Sequence, residues 1–173
     1  MKKLLILAFL FAGISPLCAS TNDAAVKLSL WDQLAIAAPA NVHNVTGLDF
    51  GIGSHTDTVT GLQWDLVWAQ TNYELTGASL AWLVSMGNHV TGAQSALFDK
   101  AEDVVGAQIG GVNMTHSIIG AQVGFYNQAD FMHGLQLGFV NYAREIDRGL
   151  QVGILNVAEN GYLPVMVFVN GRF

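Results

Sequence analysis

Asp49 and Asp65 are the two residues whose type and placement most readily suggest chemistry. Both lie within apparent β-strands rather than in the polar segments between strands. Two carboxylates brought together from neighbouring strands can share general acid and base roles, or they can bind Ca²⁺ through their oxygens. The simpler interpretation is an outward acidic patch on a soluble surface, and it is the one we favour.

The five histidines do not form a metal-binding pattern. They lie at or beside predicted turns, and no two have the spacing that brings two imidazoles to one metal ion. No Gly-x-Ser-x-Gly elbow is present, and no helix pattern follows the glycines as a dinucleotide fingerprint requires. The sequence therefore predicts no catalytic residue, no cofactor and no metal site. The histidines are His43, His55, His89, His116 and His133.

A short repeated phrase organises most of the chain. Between Val45 and Asn156 the chain repeats glycine, apolar, glutamine, apolar, glycine, usually followed by asparagine shortly afterwards. The interval from one opening glycine to the next is nearly constant, which indicates a stack of equivalent units. Glycine is expected where the chain turns or where a neighbouring backbone comes close. The opening glycines are Gly47, Gly61, Gly77, Gly92, Gly106, Gly120, Gly134 and Gly149.

Each repeat has the alternation of a β-strand. The first, third and fifth residues after the opening glycine are apolar nearly throughout, as in Ala121, Val123 and Phe125. The residues between them are small or polar, with glutamine usually at the second position. This period of two is typical of a strand. Short polar segments, such as 99–103 and 142–147, predict the turns.

These features predict an all-β fold, a parallel β-solenoid of about eight coils of roughly 14–16 residues with terminal caps. Successive coils of a solenoid stack about 4.8 Å apart, so equivalent residues form rows. We expect the apolar rows, with Trp64 and Trp82, to fill the interior, and the recurring asparagines to form an amide ladder at the turn. The glutamine rows would run along the outside as a polar face. That candidate polar face comprises Asp49, Gln63, Asp65, Gln94, Gln108, Gln122, Gln136 and Gln151.

The alternative fold is an antiparallel β-meander closed as an outer-membrane β-barrel. Each repeat would then be one strand, with apolar residues toward lipid and glutamines toward the lumen. The terminal Phe173 and the alternating Val165, Val167 and Val169 are typical of the last strand of such barrels. Loops that are all short, and a repeat that is single rather than paired, favour the solenoid.

The chain divides into four segments. Residues 1–20 have a basic start, an apolar run and small residues before Thr21, as in a secretory signal peptide. Within them Cys18 is a candidate for lipidation, which the bulky Leu17 before it disfavours. An N-terminal cap or entering strand at 21–44, the eight-repeat β domain at 45–160 and a C-terminal capping strand at 161–173 follow. Strand edges left exposed by an imperfect cap would permit self-association.

The charge of the chain excludes two kinds of partner. Removing residues 1–20 leaves five basic against 13 acidic residues, which gives a net charge of −8. Nucleic acid and anionic lipid attract proteins through clustered lysine and arginine. We therefore expect no nucleic-acid partner and no electrostatic docking on lipid. Association with an outer membrane remains possible through the alternative fold, the β-barrel.

The chain resembles a family of exported bacterial surface-repeat proteins of the Leptospira type. The entering segment 27–31, the serial Gly-x-Gln-x-Gly-x-x-Asn units and the closing segment 161–173 carry the resemblance, which covers essentially the whole mature chain. It implies an exported envelope or surface location. A function that needs an unbroken glutamine row is not expected in the first half, where the chain departs from the pattern. The departures are Asp49, Asp65, Ser79 and Asp99.

Taken together, these observations predict an exported, non-enzymatic repeat protein of the cell envelope or surface. Its role would be structural, adhesive or ligand-binding, through a surface partner that the residues do not identify. Its location would be the cell surface, the outer membrane or the periplasm. The alternative function is that of a small outer-membrane β-barrel channel or anchor.

Overall fold

The computed structural model describes residues 23–31, 34–35 and 42–173, and all of its regular structure is β-strand. The predicted signal peptide, with Cys18, lies outside these residues. In the described part of the chain no helix is long and apolar enough to cross a membrane. The strands are β1 (Asp23–Trp31), β2 (Leu34–Ala35), β3 (Asn44–Ala81), β4 (Val84–Ser95), β5 (Phe98–Ile109), β6 (Val112–Val123), β7 (Tyr126–Leu137), β8 (Val140–Ala158) and β9 (Val165–Arg172).

Successive repeats pair in parallel, as a β-solenoid requires. The strands follow one another in the order β2-β1-β3-β4-β5-β6-β7-β8-β9, and every pair from β1–β3 to β7–β8 is parallel. Gly92 pairs with Gly106, which pairs with Gly120, so one coil extends from one opening glycine to the next. The predicted parallel β-solenoid is confirmed. The antiparallel meander is wrong, because among the described strands antiparallel pairing is confined to the two ends, between β1 and β2 and between β8 and β9.

Several segments predicted as turns are parts of strands. Residues 99–103 lie within β5, and residues 142–147 lie within β8. The breaks between strands fall instead after the glutamine motif, for example at residues 110–111 and 124–125. Within β5 the buried Ala101 and Val104 are separated by two residues instead of one, so the chain bends there without losing its ladder to the next coil. The polar segments are therefore corners of a continuous coil.

The predicted orientation of the rows is wrong. The second residue after every opening glycine is buried, whereas none of the first, third and fifth residues is. Trp64 is 52% exposed and Trp82 is 78% exposed, so neither fills the interior as predicted. Because strand side chains alternate between two faces, placing glutamine inside puts the apolar rows outside. Buried amides are tolerated here because each can bond to its equivalent in the next coil.

The apolar part of the interior is narrow. One row is aliphatic and includes Val59, Leu75, Val104 and Ile118, and the next row consists mostly of alanine. Each Å² of apolar surface removed from water stabilises a fold by about 25 cal/mol. These rows therefore contribute to stability even though their side chains are small or medium in size. The core is therefore aliphatic at its centre and polar on either side.

The opening glycines are the closest points between successive coils. Seven of the eight have φ between 131° and 142°, a region that residues with a β-carbon rarely adopt. A β-carbon on Gly120 would overlap the carbonyl oxygen of Gly106 in the coil before it. This confirms that glycine occurs where a neighbouring backbone comes close.

Candidate functional site

A ladder of buried glutamines runs through the second half of the solenoid. The Nε2 of Gln108 donates to the Oε1 of Gln94 at 3.1 Å, and the same bond recurs at 2.8, 2.7 and 2.8 Å in the following coils. We call this the glutamine ladder, and all of its side chains are fully buried. In the first half, Gln63 continues the row by accepting from the hydroxyl of Ser79 at 3.1 Å. The ladder comprises Gln94, Gln108, Gln122, Gln136 and Gln151.

A second ladder consists of asparagines. Asn113, Asn127, Asn141 and Asn156 occupy equivalent positions, and the Nδ2 of each of the first three donates to the Oδ1 of the next at 2.7 to 2.8 Å. The amide ladder predicted from their recurrence is confirmed, although it is buried. Each of the first three Nδ2 groups also donates to a backbone carbonyl, as Asn113 does to Val123 at 3.0 Å. We call this the asparagine ladder.

The second glycine of each motif makes room for the asparagine ladder. A β-carbon on Gly124, Gly138 or Gly153 would lie 2.5 to 2.6 Å from an asparagine Nδ2. A side chain at these positions would therefore displace the amide. The spacing Gly-x-Gln-x-Gly-x-x-Asn thus encodes both ladders together with the space that each needs.

The two ladders run in opposite directions. Glutamine Nε2 groups point toward the N-terminal coils, whereas asparagine Nδ2 groups point toward the C-terminal coils. Each ladder leaves one buried oxygen without a hydrogen-bond partner among the described residues, Gln151 Oε1 in one and Asn113 Oδ1 in the other. Because the amide dipoles are opposed, the fields of the two ladders partly cancel.

Asp99 occupies the asparagine row one coil before Asn113. The backbone N–H of Ala96 donates to its Oδ2 at 3.1 Å, and its Oδ1 has no partner in the described chain. Its neighbours in the row, Ser85 and Asn113, carry no charge. Burial raises the pKa of Asp99 to about 7, against the smaller lowering effect of the Ala96 bond.

The structure brings Asp49 and Asp65 into one buried cluster. Asp49 Oδ2 accepts from the hydroxyl of Thr56 at 2.6 Å, and Asp65 Oδ2 accepts from the hydroxyl of Ser54 at 2.5 Å. Lys27, also buried, donates from Nζ to Thr56 Oγ1 at 2.7 Å. Burial raises the pKa of Asp65 to about 7. The Ser54 bond and Lys27 act to lower it, and the charge of Asp49 adds to the rise.

None of the eight residues of the predicted polar face lies on the surface. Each is at most 1% exposed, so the set forms an interior row and not an outward face. Asp49 and Asp65 are close together, as an acid and base pair would require, yet solvent does not reach either carboxylate. Their contacts join the first coils to one another and leave no approach for a substrate.

Four of the five histidines pair with an aspartate of the next coil. Each Nδ1 lies 2.9 to 3.0 Å from a carboxylate oxygen, and the pairs lie at the surface. Among the residues that the structure describes, no group of three or more His, Cys, Asp or Glu is placed to hold a metal ion. The sequence carries a signal for these pairs, because each aspartate follows its histidine at the same separation, one coil length. The pairs are His43–Asp57, His89–Asp103, His116–Asp130 and His133–Asp147.

The outward apolar rows form a continuous surface, which we call the apolar face. It consists of the first, third and fifth residues after each opening glycine, from Leu48 to Ile154, and it contains no charged residue. Leu66, Trp82 and Phe125 are 61, 78 and 66% exposed. Phe125 and Phe139 stack in parallel with ring centroids 5.3 Å apart. A shallow groove of about 630 Å³ runs beside them, lined by Val123, Val152 and Ile154 among others.

Comparisons with known proteins give no match. Protein-family models, curated proteins and solved structures were each compared with the chain, and none matches it. The resemblance to Leptospira-type surface-repeat proteins is left untested by these comparisons. We therefore infer the contacts of the chain from its outward-facing residues.

Proposed function

We propose that this chain is an exported, non-enzymatic repeat protein of the bacterial envelope or surface, and that it makes its functional contact through the apolar face. The observation that carries the proposal is the absence of charge from that face in a chain whose net charge is −8 without residues 1–20. The side chains of the apolar face point away from the core that holds the coils together. Their apolar character therefore serves a contact outside the chain.

The size of the face supports this role. The eight opening glycines stack one against the next, so the face has eight rows of residues. With rows about 4.8 Å apart and a width of five extended residues, its flat area is roughly 550 Å². Exposed apolar patches of more than a few hundred Å² usually mark a site of interaction. At about 25 cal/mol for each Å², covering such a face gives a gross gain of roughly 14 kcal/mol, from which the entropic cost of association is subtracted.

The interior makes the face rigid before binding. The glutamine ladder lies directly behind the outward first and third residues, and its bonds hold successive coils in register. A surface fixed in its bound form loses little conformational entropy on association. Each coil presents equivalent residues, so the contact area grows with the number of coils.

The non-enzymatic part of the proposal is supported by the buried carboxylates. Asp49 and Asp65, the chemically most suggestive pair, are sealed in the interior and bonded to Thr56 and Ser54. Export is supported by the signal-peptide pattern of residues 1–20. N-terminal sequencing of the protein from envelope fractions is expected to begin at Thr21, and a chain retained with Met1 in the cytoplasm would contradict export.

Cysteine labelling tests the apolar face directly. Trp82→Cys places a thiol on the face, and Tyr73→Cys places one at a 65% exposed site away from it. Both variants carry Cys18→Ser, so that each chain has a single cysteine. A maleimide reagent is applied to dilute purified protein and to intact envelope fractions.

We expect both thiols to react at similar rates in the dilute protein. In the envelope, position 82 should react at least about tenfold more slowly than position 73, because a partner covers the face. Equal rates at the two positions in the envelope would contradict a contact through this face.

A further inference from the structure

The geometry points to a second copy of this chain as the partner that covers the apolar face. Two copies would pack face to face about a two-fold axis, with the two sheets about 10 Å apart as in other sheet-on-sheet contacts. This inference rests on the proposed function of the face and adds the identity of its partner.

Charge is the first argument for a second copy. A two-fold contact brings the same patch of both copies together, so a patch with a net negative charge would meet like charge. The apolar face has no charged residue, and the charged residues of the repeats lie on the other sides of the coil, as Lys100, Glu102 and Asp103 do in β5. Self-association through this face therefore avoids the repulsion that a net charge of −8 causes elsewhere.

Area is the second argument. A face of roughly 550 Å² on each copy buries at least about 1,100 Å² in the pair, which exceeds the ~1,000 Å² expected of a specific interface. The surface is corrugated by its side chains, so its accessible area is larger than the flat estimate. Interface cores are enriched in the aromatic residues that this face presents.

The distribution of large and small residues is the third argument. In three of the eight repeats a large residue at the fifth position accompanies alanine at the first, namely Trp82 with Ala78, Leu97 with Ala93 and Phe125 with Ala121, whereas in the repeat that opens at Gly106 both positions are small and in the other four both are large. A two-fold axis parallel to the stack lays the fifth row of one copy over the first row of the other. Large side chains then meet small ones, which is how facing layers interdigitate.

Light scattering after size-exclusion chromatography gives the first test. The full chain is expressed with its own N-terminal segment and purified without detergent. We expect the mass of a monomer in dilute solution and a rise to the mass of a dimer as the concentration increases. Trp82→Glu and Phe125→Glu should raise the dissociation constant of the dimer at least about tenfold, because each buries a charge in an apolar interface. Tyr73→Glu, at an exposed aromatic residue away from the face, should leave it unchanged.

Crosslinking gives the second test. Ser95 lies at the third position of a central coil, on the row that the two-fold axis runs along. Ser95→Cys should be joined rapidly to its equivalent by a short bismaleimide crosslinker, because sheets about 10 Å apart are too distant for a direct disulfide. Glu102→Cys, at an exposed site on another side of the coil, should not. Both chains carry Cys18→Ser.

The outcomes separate this inference from the proposed function. A monomer at every concentration overturns the second copy, even if position 82 is protected in the envelope, in which case the partner is another molecule. A monomer that binds neutral lipid vesicles and loses this binding with Trp82→Glu would identify lipid as that partner. A dimer unaffected by both glutamate variants would also overturn the inference and would point to association through strand edges.

Discussion

Asp99 and Asn113 occupy equivalent positions in successive coils, and each has a buried side-chain oxygen without a hydrogen-bond partner among the described residues. From Asn113 onward the amide groups of the asparagine ladder donate toward the C-terminal coils. The oxygen at the start of the ladder, Asn113 Oδ1, therefore lies on the side of Asp99. A protonated Asp99 can donate to that oxygen, whereas an ionised one cannot. The protonation state of one carboxyl group therefore decides whether the ladder is extended by one coil.

Replacing Asp99 by asparagine should stabilise the chain in neutral and alkaline solution. The new Nδ2 donates to Asn113 Oδ1 at any pH, and the new Oδ1 can still accept from the N–H of Ala96. At pH 8 we expect the free energy of unfolding to rise by about 1 to 3 kcal/mol. Urea unfolding followed by circular dichroism measures it. The control Glu102→Gln, at an exposed site, should change it by less than about 0.5 kcal/mol. A less stable Asp99→Asn variant at pH 8 would show that the ionised group is well accommodated.

The stability of the natural chain should fall as pH rises from about 4 to about 7. Asp99 and Asp65 both have a folded pKa of about 7, above the ordinary value of 3.8, so the folded chain binds more protons than the unfolded chain in this interval. Their stabilising contribution is complete below pH 3.8 and is lost above about pH 7. Each group contributes a slope of up to about −1.4 kcal/mol for each pH unit.

Comparing the natural chain with Asp99→Asn isolates one of these contributions. The difference in unfolding free energy between the two chains should be small at pH 5 and should grow toward pH 8. A difference that stays constant across this range would mean that Asp99 does not titrate within it.

An interruption of the glutamine ladder should be costly. Gln122→Met keeps the length of the side chain but leaves Gln108 Oε1 without its donor and reduces Gln136 Nε2 to its bond with the carbonyl of Tyr142. Since an orphaned buried group costs about 1 to 3 kcal/mol and the loss of a hydrogen bond about 1 kcal/mol, we expect the free energy of unfolding to fall by about 2 to 4 kcal/mol. Gln128→Met, at a half-buried site outside the ladder, serves as the control and should cost less than about 1 kcal/mol. Equal losses in the two variants would contradict a cooperative ladder.

The opening glycines should not tolerate a β-carbon. Gly120→Ala combines a strained φ of 142° with an overlap on the carbonyl of Gly106, so we expect a loss of about 3 kcal/mol or more. Gly53→Ala is the matched control, since its β-carbon would meet Trp68 at an ordinary distance of 3.5 Å. Thermal unfolding compares the two variants. A Gly120→Ala chain as stable as Gly53→Ala would refute the close approach of the coils.

The sequence was sufficient to predict the fold but not its orientation. A repeat of nearly constant length with strand alternation predicts stacked parallel coils, because the stack follows from the period alone. Which side of the strand faces inward follows from a balance of energies. Hydrophobicity favoured Trp64 inside, but only the inward position lets Gln122 bond to Gln108 and Gln136 in the adjacent coils. That gain depends on the stacking of coils and is absent from any single repeat.

The surface pairs were missed for a related reason. His116 and Asp130 are too far apart in sequence to be recognised as a local motif, yet they are neighbours in space once the coil length is known. The cluster around Lys27 and Asp49 could not be predicted, because these two residues pair across an interval longer than the regular period. In contrast, the proximity of Asp49 and Asp65 was predictable, since the two occupy neighbouring repeats.

The central claim is that the amides lie inside the coil and the apolar rows lie outside it. Hydrogen exchange of the glutamine side chains, followed by nuclear magnetic resonance in D₂O, tests this most directly. The Nε2 hydrogens of Gln108, Gln122 and Gln136 should survive for hours, while those of the half-buried Gln128 should exchange within minutes. Exchange of the ladder glutamines as fast as Gln128, in a chain whose backbone amides remain protected, would contradict the claim and return the apolar rows to the interior.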